Sequence, residues 1–321
     1  MCPTLALAGD TMLGRGVAER LLADPAEPLF APEVEELVGS ADAFVLNLEC
    51  CISERGSRFP EPGKPFFFRA PPVAAWRLAE LGVDAVTLAN NHTLDYGVDA
   101  LLDTLTYLEA AGIAAVGAGT SVEMARAHRL LRCGERSVRL LGFSDHPAGY
   151  AVGPDSPGIA FADLGRGLPG WVQGAMAAGE GDALVVSPHW GPNMVTEPVD
   201  QVRRAADELI AAGATLVAGH SAHVFHGMAP GVLFDLGDFL DDYAVDPVLR
   251  NDLGLLWLVE LERGEVGAVR AMPLALDYCF TRAASRPEAD WIVRHMRALC
   301  APFGTEVNLQ DGMIELETQA A

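Results

Sequence analysis

Five short stretches of the chain place polar side chains of a related kind directly after apolar runs. LALAGDTMLGR carries Asp10, FVLNLE carries Asn47 and Glu49, and VTLANNHTLDYG carries Asn90, Asn91, His92 and Asp95. LVVSPHWG adds His189, and LVAGHSAHVFHG adds His220, His223 and His226. Asn47 and Glu49 are two apart and so share one strand face. Singly, each has a plain structural account: Asp10 as a helix cap, Asn91 as a turn residue, a lone histidine as a group satisfied within the fold. The conjunction is the signal, because five of the eight histidines stand at strand ends beside carboxylates and amides. Carboxylate, amide oxygen and imidazole together make a ligand set for borderline-hard divalent ions such as Mn, Fe or Zn, and the lack of cysteine in it argues against structural zinc. A carboxylate able to bridge suggests two ions roughly 3.5–4 Å apart that orient and activate a water. The residues point to a binuclear, hydrolase-like centre.

Elements must position these groups. Runs 4–8, 43–48, 84–89, 113–116, 183–187 and 215–218 read as buried strands, and 73–81, 98–111 and 199–212 carry apolar residues at helical spacing. This is an α/β chain with crossover units, whose ligands are expected beyond the carboxyl ends of the strands. RLLRCGERSVRLLGF predicts a hairpin over 129–144, and a second is predicted over 255–276 around Arg263-Gly264-Glu265. Two mixed sheets with helices outside are expected, closed by a helix over 288–301. Residues 54–72 and 144–158 read as loops, neither marking a domain boundary.

The length of 321 residues and 50% apolar content imply a substantial core. A net charge of −22 argues against nucleic acid or an anionic membrane as partner, so an anionic substrate must be captured locally. No apolar window of about 18 residues and no signal peptide is apparent, which predicts a soluble cytoplasmic protein without a membrane anchor. Six cysteines without a CxxC pair predict reduced thiols, with Cys50 and Cys51 packed in the core.

The stretches GDTMLGR, NLECCIS, ANNHTLDYG, PHWG, GHSAHV and LGDF resemble, in order and spacing, bacterial capsule-synthesis and poly-γ-glutamate-biosynthesis CapA-like proteins, a branch of the calcineurin-like metallophosphatase superfamily. The closing FTRAAS and FGTEV are similar to that family's C-terminal region, so the likeness covers nearly the whole chain, 1–321, as a single domain. The resemblance implies a four-layer α/β/β/α sandwich with the metal site at one edge, holding one or two divalent ions of Mn, Fe, Zn or Ca. It makes Asp10 the first-motif ligand and Glu49 the bridge, where the superfamily usually has aspartate. Asn91, His189 and His220 would hold the second ion, His223 would face the first, His92 would be the general acid, and Asp95 would orient it. Met12 stands where the superfamily usually has a further histidine, which leaves one ion as an alternative to two. Asn193, Ser221 and Ala222 also depart from the family pattern, leaving the ligands but altering substrate contacts. Asp238 of LGDF reads either as a carboxylate lining the site or as a turn residue. His128, His146, His226 and His295 match no ligand position, and His295 is expected to be exposed.

In GKPFFFRAPP, Lys64 and Arg69 flank three phenylalanines; Arg69 suits bidentate capture of a carboxylate or phosphate, Phe66 and Phe68 suit the core, and Arg15 is a further candidate anion contact. Two reactions fit: hydrolysis of a phosphoester, polyglutamyl or other amide-type bond, or inversion of an amino-acid Cα in a ribosomally made peptide, as some CapA-like proteins are thought to do. A non-catalytic assembly scaffold is the third reading. The oligomeric state is left open.

Overall fold

The computed structural model describes residues 2–60, 63–262 and 264–318. Arg263 of the expected hairpin turn, and Glu61 and Pro62 of the expected loop, lie outside the described residues. Two sheets stack face to face. The path of the ten-stranded sheet runs Thr305–Gln310, Met313–Thr318, Glu265–Asp277, Leu253–Glu262, Thr4–Thr11, Ala43–Leu48, Ala85–Thr87 and Ala114–Val116, with Asp238–Leu240 and Phe280–Ala283 attached beside it. The six-stranded sheet runs Met228–Ala229, Val232–Leu233, Leu216–Ala218, Ala183–His189, Arg136–Ser144 and Arg129–Cys133.

The central strands are apolar at successive positions because both of their faces are covered. Leu5, Leu7 and Val45 enter the core between the sheets, whereas Ala6, Ala8, Phe44 and Leu46 alternate to the outer core. There they meet Val17, Val34, Leu78 and Leu101 from the helices Arg15–Ala23, Pro32–Gly39, Val73–Leu81 and Gly97–Ala110. On the other side, Leu141 and Val186 pack on Val172, Val202 and Leu209 from the helices Gly170–Ala177 and Asp200–Ala211. The order is helix, sheet, sheet, helix, a four-layer α/β/β/α sandwich. Among the described residues no helix is long and apolar enough to cross a membrane.

Both expected hairpins form. Several boundaries differ for physical reasons. The first strand continues to Thr11 because Asp10 and Thr11 pair with the strand Asp238–Leu240. The strand expected over 84–89 is only Ala85–Thr87, since the Asn90 amide then draws the chain into a turn by donating to Asn47 Oδ1 at 3.0 Å and to the Leu48 carbonyl at 2.8 Å. The hairpin Thr305–Gln310 with Met313–Thr318 extends the larger sheet beyond the elements expected, and the helix Arg286–Cys300 packs on the inter-sheet core beside it. His295 is half-buried rather than exposed, stacked 4.7 Å from Trp291 and edge-on to Phe225 at 5.7 Å. Phe68 is buried as expected, but Phe66 is 53% exposed, because only Arg69–Ala70 of that segment joins a strand. Cys50 and Cys51 are free and buried, and burial pushes the Cys50 thiol up to about 12.

Candidate metal centre

The site forms where two strand ends are forced together. Gly9 lies so close to Gly237 that a Cβ on it would come within 1.7 Å of the Gly237 carbonyl oxygen, so only glycine permits the approach. The Asp10 amide donates to that carbonyl at 2.9 Å, and the register sets Asp10 opposite Asp238. The Asn47 amide donates to Asp10 Oδ1 at 2.7 Å while its own oxygen accepts from Thr87 and Asn90 at 3.0 Å each. Three neighbouring strands thereby fix one carboxylate.

The turn after Thr87 is held by Asn90, whose Oδ1 accepts from the His92 amide and the Thr93 hydroxyl at 3.0 Å each. This aims the His92 ring, with Nδ1 2.7 Å from Asp95 Oδ2 and Nε2 3.7 Å from Glu49 Oε1. Asp95 is fully buried, with the Phe68 amide donating to Oδ2 at 2.6 Å, the Tyr150 hydroxyl donating to Oδ1 at 3.3 Å and the Lys64 ammonium 2.8 Å from Oδ1. Burial pushes the His92 imidazole below its ordinary value, and Asp95 offsets this only in part.

The smaller sheet supplies the other histidines. His189 ends the strand Ala183–His189 and forms a parallel bridge with His220. His220 Nε2 lies 3.0 Å from the Ser187 hydroxyl, leaving Nδ1 turned to Asp10 Oδ1 at 3.4 Å. The loop beyond bends back through positive φ, 113° at Ser221 and 59° at His223, conformations that are uncommon without glycine. Asp235 braces it, accepting from the Ala222 amide at 2.8 Å and the Gly237 amide at 2.9 Å. His223 Nδ1 then lies 2.9 Å from Asp238 Oδ1 and 3.4 Å from Asp10 Oδ2, with Nε2 3.8 Å from Glu49 Oε1.

The structure thus brings together Asp10, Glu49, His92, His189, His220, His223 and Asp238, with Asn91 next to His92 in the chain. Both Glu49 oxygens, Asn91 Oδ1, both His189 ring nitrogens, His220 Nδ1 and Asp238 Oδ2 are buried without a hydrogen-bond partner among the described residues. Each orphaned buried polar atom costs about 1–3 kcal/mol, more if charged. Their convergence, with donors suited to divalent cations, fits the metal-ion expectation. Burial and repulsion from Asp10 push the Glu49 carboxyl well above the ordinary carboxylate range. Burial and repulsion also raise Asp235 and Asp238, with Asp241 and Asp10 opposing Asp238 most strongly. Asp10 goes the other way: burial would raise it, but the His220 and His223 imidazoles hold it low. A divalent cation would supply the charge that this cluster of carboxylates lacks.

The cations expected to grip substrate have other partners. The Arg69 guanidinium stacks 4.2 Å over Tyr96 and donates to the Arg55 carbonyl at 3.2 Å, so the structure does not bring it to the ligand cluster. Lys64 is buried on Asp95 and donates to the Asn91 carbonyl. Arg15 is paired with Asp242 and lies 5.1 Å and 5.5 Å over the Phe68 and Tyr243 rings. Those rings form a wall: Phe68 lies 4.2 Å from the His92 ring and Tyr243 lies 5.4 Å from the His223 ring. Asp235, Asp241, Tyr243, Tyr150 and Ser187 were missed from sequence; the acidic run FDLGDFLDDY was the available signal for the first three. His226 lies apart, with Nε2 2.9 Å from the Val195 carbonyl oxygen.

The family model described as "Bacterial capsule synthesis protein PGA_cap" matches residues 4–243. A probable polyglutamine synthesis accessory protein of Mycobacterium tuberculosis is 28% identical over 98% of this chain and 95% of its own length. The PGA biosynthesis protein CapA of Bacillus subtilis is 27% identical over 73% of this chain and 62% of its own length. Among solved structures, a novel phosphatase from Mycoplasma pneumoniae superposes with a TM-score of 0.52 at 11% identity, covering 86% of this chain and 94% of that one. A putative 5'-nucleotidase from Staphylococcus aureus gives 0.51 at 13% identity, covering 96% and 59%. At these identities the structural likeness concerns the fold.

Proposed function

Because the chain belongs to the bacterial capsule synthesis PGA_cap family, we propose that its strand-end cluster is the active site of a divalent-metal-dependent hydrolase acting on a small anionic peptide, polyglutamyl or phosphoester substrate. The observation that carries this reading is the set of buried ligand atoms without a partner on Glu49, Asn91, His189 and His220, with Glu49 Oε1 3.7 Å from Nε2 of the His92–Asp95 pair. Asp10, Glu49 and His223 would hold one ion, and Glu49, Asn91, His189 and His220 the other. A bound divalent ion supplies Lewis-acid polarisation of a substrate oxygen and a more acidic water. His92, not counted among the ligands, exchanges a proton at Nε2 with the leaving group, while Asp95 holds the ring through Nδ1. Phe68 and Tyr243 shield the centre from bulk water.

One observation favours a second reaction at the same site. Two His–Asp pairs, His92–Asp95 and His223–Asp238, flank the same Glu49 oxygen, with Nε2 atoms 3.7 and 3.8 Å from it. With a single ion at the histidine-rich position, His223 would be free to move protons, and two acid/base groups on either side of a Cα are what epimerisation of a peptide residue requires. The test is to incubate metal-loaded protein with aryl phosphates, glutamyl peptides and candidate peptides in D₂O. Hydrolysis products that disappear in His92→Ala support the first reading, and deuterium gain at a Cα supports the second. Metal binding with neither reaction would leave an assembly scaffold.

A further inference from the structure

One of the buried atoms without a hydrogen-bond partner among the described residues, Asp238 Oδ2, belongs to a residue to which the hydrolytic reading gives no role. Asp238 is 1% exposed and opens the strand that runs parallel to the first, register-matched to Asp10. Asp10, His223 and Asp238 each offer a ligand atom, and the three atoms lie within 4.8 Å of one another. Met12, the buried residue next on that side of the first strand, offers only a thioether, and its sulfur already accepts from the Gly14 amide at 3.0 Å. Asp241 stands behind Asp238, anchored by the Tyr243 amide at 2.8 Å.

We propose that Asp238 is a direct metal ligand, completing with Asp10, Glu49 and His223 an oxygen-rich position that selects a harder cation such as Mn²⁺, Mg²⁺ or Ca²⁺, distinct from the imidazole-rich position at His189 and His220. The inference rests on the metal-centre reading above. Carboxylate donors favour Mg, Ca and Mn, whereas imidazoles favour Zn and Fe, so the two halves have opposite preferences. Three carboxylates around one imidazole also give this half the greater negative charge. The centre is therefore built for two unlike ions, and the His223–Asp238 contact holds ligands in place for one of them.

The experiment compares wild type with Asp238→Asn and Asn91→Ala, each checked for folding by circular dichroism, using Mn²⁺ and Zn²⁺ alone as probes. Titration calorimetry gives stoichiometry and affinity, and low-temperature electron paramagnetic resonance reports whether Mn²⁺ ions are coupled. The expected result for Asp238→Asn is loss of one Mn²⁺ or weakening of its binding by about tenfold or more, with tight Zn²⁺ binding unchanged. Asn91→Ala should weaken Zn²⁺ and spare the tighter Mn²⁺. Wild-type Mn²⁺ stoichiometry and affinity in Asp238→Asn would overturn the inference while leaving the metal centre intact. If the wild type binds neither ion, the inference and the functional reading on which it rests fall together.

Discussion

Two histidine–aspartate pairs face one glutamate, and they are nearly superposable in their distances. His92 Nδ1 lies 2.7 Å from Asp95 and His223 Nδ1 lies 2.9 Å from Asp238, with both Nε2 atoms within 3.8 Å of Glu49 Oε1. Their surroundings drive them apart. His92 lies against Phe68 and its aspartate is backed by Lys64, so burial prevails and the imidazole is held below its ordinary value. Burial also pushes His223 down, but the Glu49 and Asp10 carboxylates prevail and hold it above. The contrast teaches that the motif alone does not assign a role: the charge behind it decides whether an imidazole is suited to moving a proton or to sitting among carboxylates.

The sharpest way to break this comparison is to remove each imidazole in turn. His92→Ala should lower turnover by about 10²–10⁴-fold, the usual contribution of a general acid or base, while metal content measured by elemental analysis stays near wild type. His223→Ala should lose metal at one position. Equal metal loss in both variants would show that the two pairs share one role.

Next in size is the charge behind Asp95. Lys64→Met leaves a fully buried carboxylate without its cation, a change that typically costs about 3–5 kcal/mol, to be measured by urea unfolding. Little loss would mean that the Phe68 amide and Tyr150 suffice to hold Asp95, and that Lys64 is not what distinguishes the two pairs.

The carboxylates around His223 predict a particular pH dependence. Glu49, Asp235 and Asp238 are raised above their ordinary values, so the metal-free folded state binds more protons than the unfolded chain. Their contribution is therefore greatest below the ordinary carboxylate range and is lost as pH rises through the raised values. His226, lowered to about 4 by burial, acts oppositely: its contribution is present above the ordinary imidazole value and is lost as pH falls through that window. The melting temperature of chelator-treated protein should fall as pH rises through the raised carboxylate values, and a divalent ion at 100 times its Kd should restore about 2.7 kcal/mol. No such fall in the metal-free protein would contradict the crowding of charge at His223.

The smallest effect is expected at Arg69. Its stacking on Tyr96 is worth about 0.5–1 kcal/mol of stability, and Arg69→Ala should leave KM for an anionic substrate unchanged. A higher KM in Arg69→Ala would return that guanidinium to the substrate.

Much of this was legible in the chain itself. Asp10, Glu49, Asn91 and His189 announce themselves because buried strands must be apolar, so a polar residue at a strand's end stands out. What could not be read was pairing at a distance. The Asn47 amide orients Asp10, and Asp235 braces the loop at Ala222, only because the strands lie side by side. In FDLGDFLDDY the acidic residues look alike, yet Asp235 holds backbone, Asp238 meets His223, and Asp242 neutralises Arg15. The cationic residues misled for a related reason: their types suit anion capture, but the fold turns Arg69 to Tyr96 and Lys64 to Asp95.

Lys64 is the only lysine in the chain, and its side chain is just 9% exposed. Apart from an amino terminus, an amine-selective acylating reagent therefore has one target, and that target is shielded by its contact with Asp95. The labelling rate, read as a single mass increment, becomes a clock for the exposure of the Lys64–Asp95 pair beside His92. A substrate or ion that closes the site should slow that clock, before its chemistry is known.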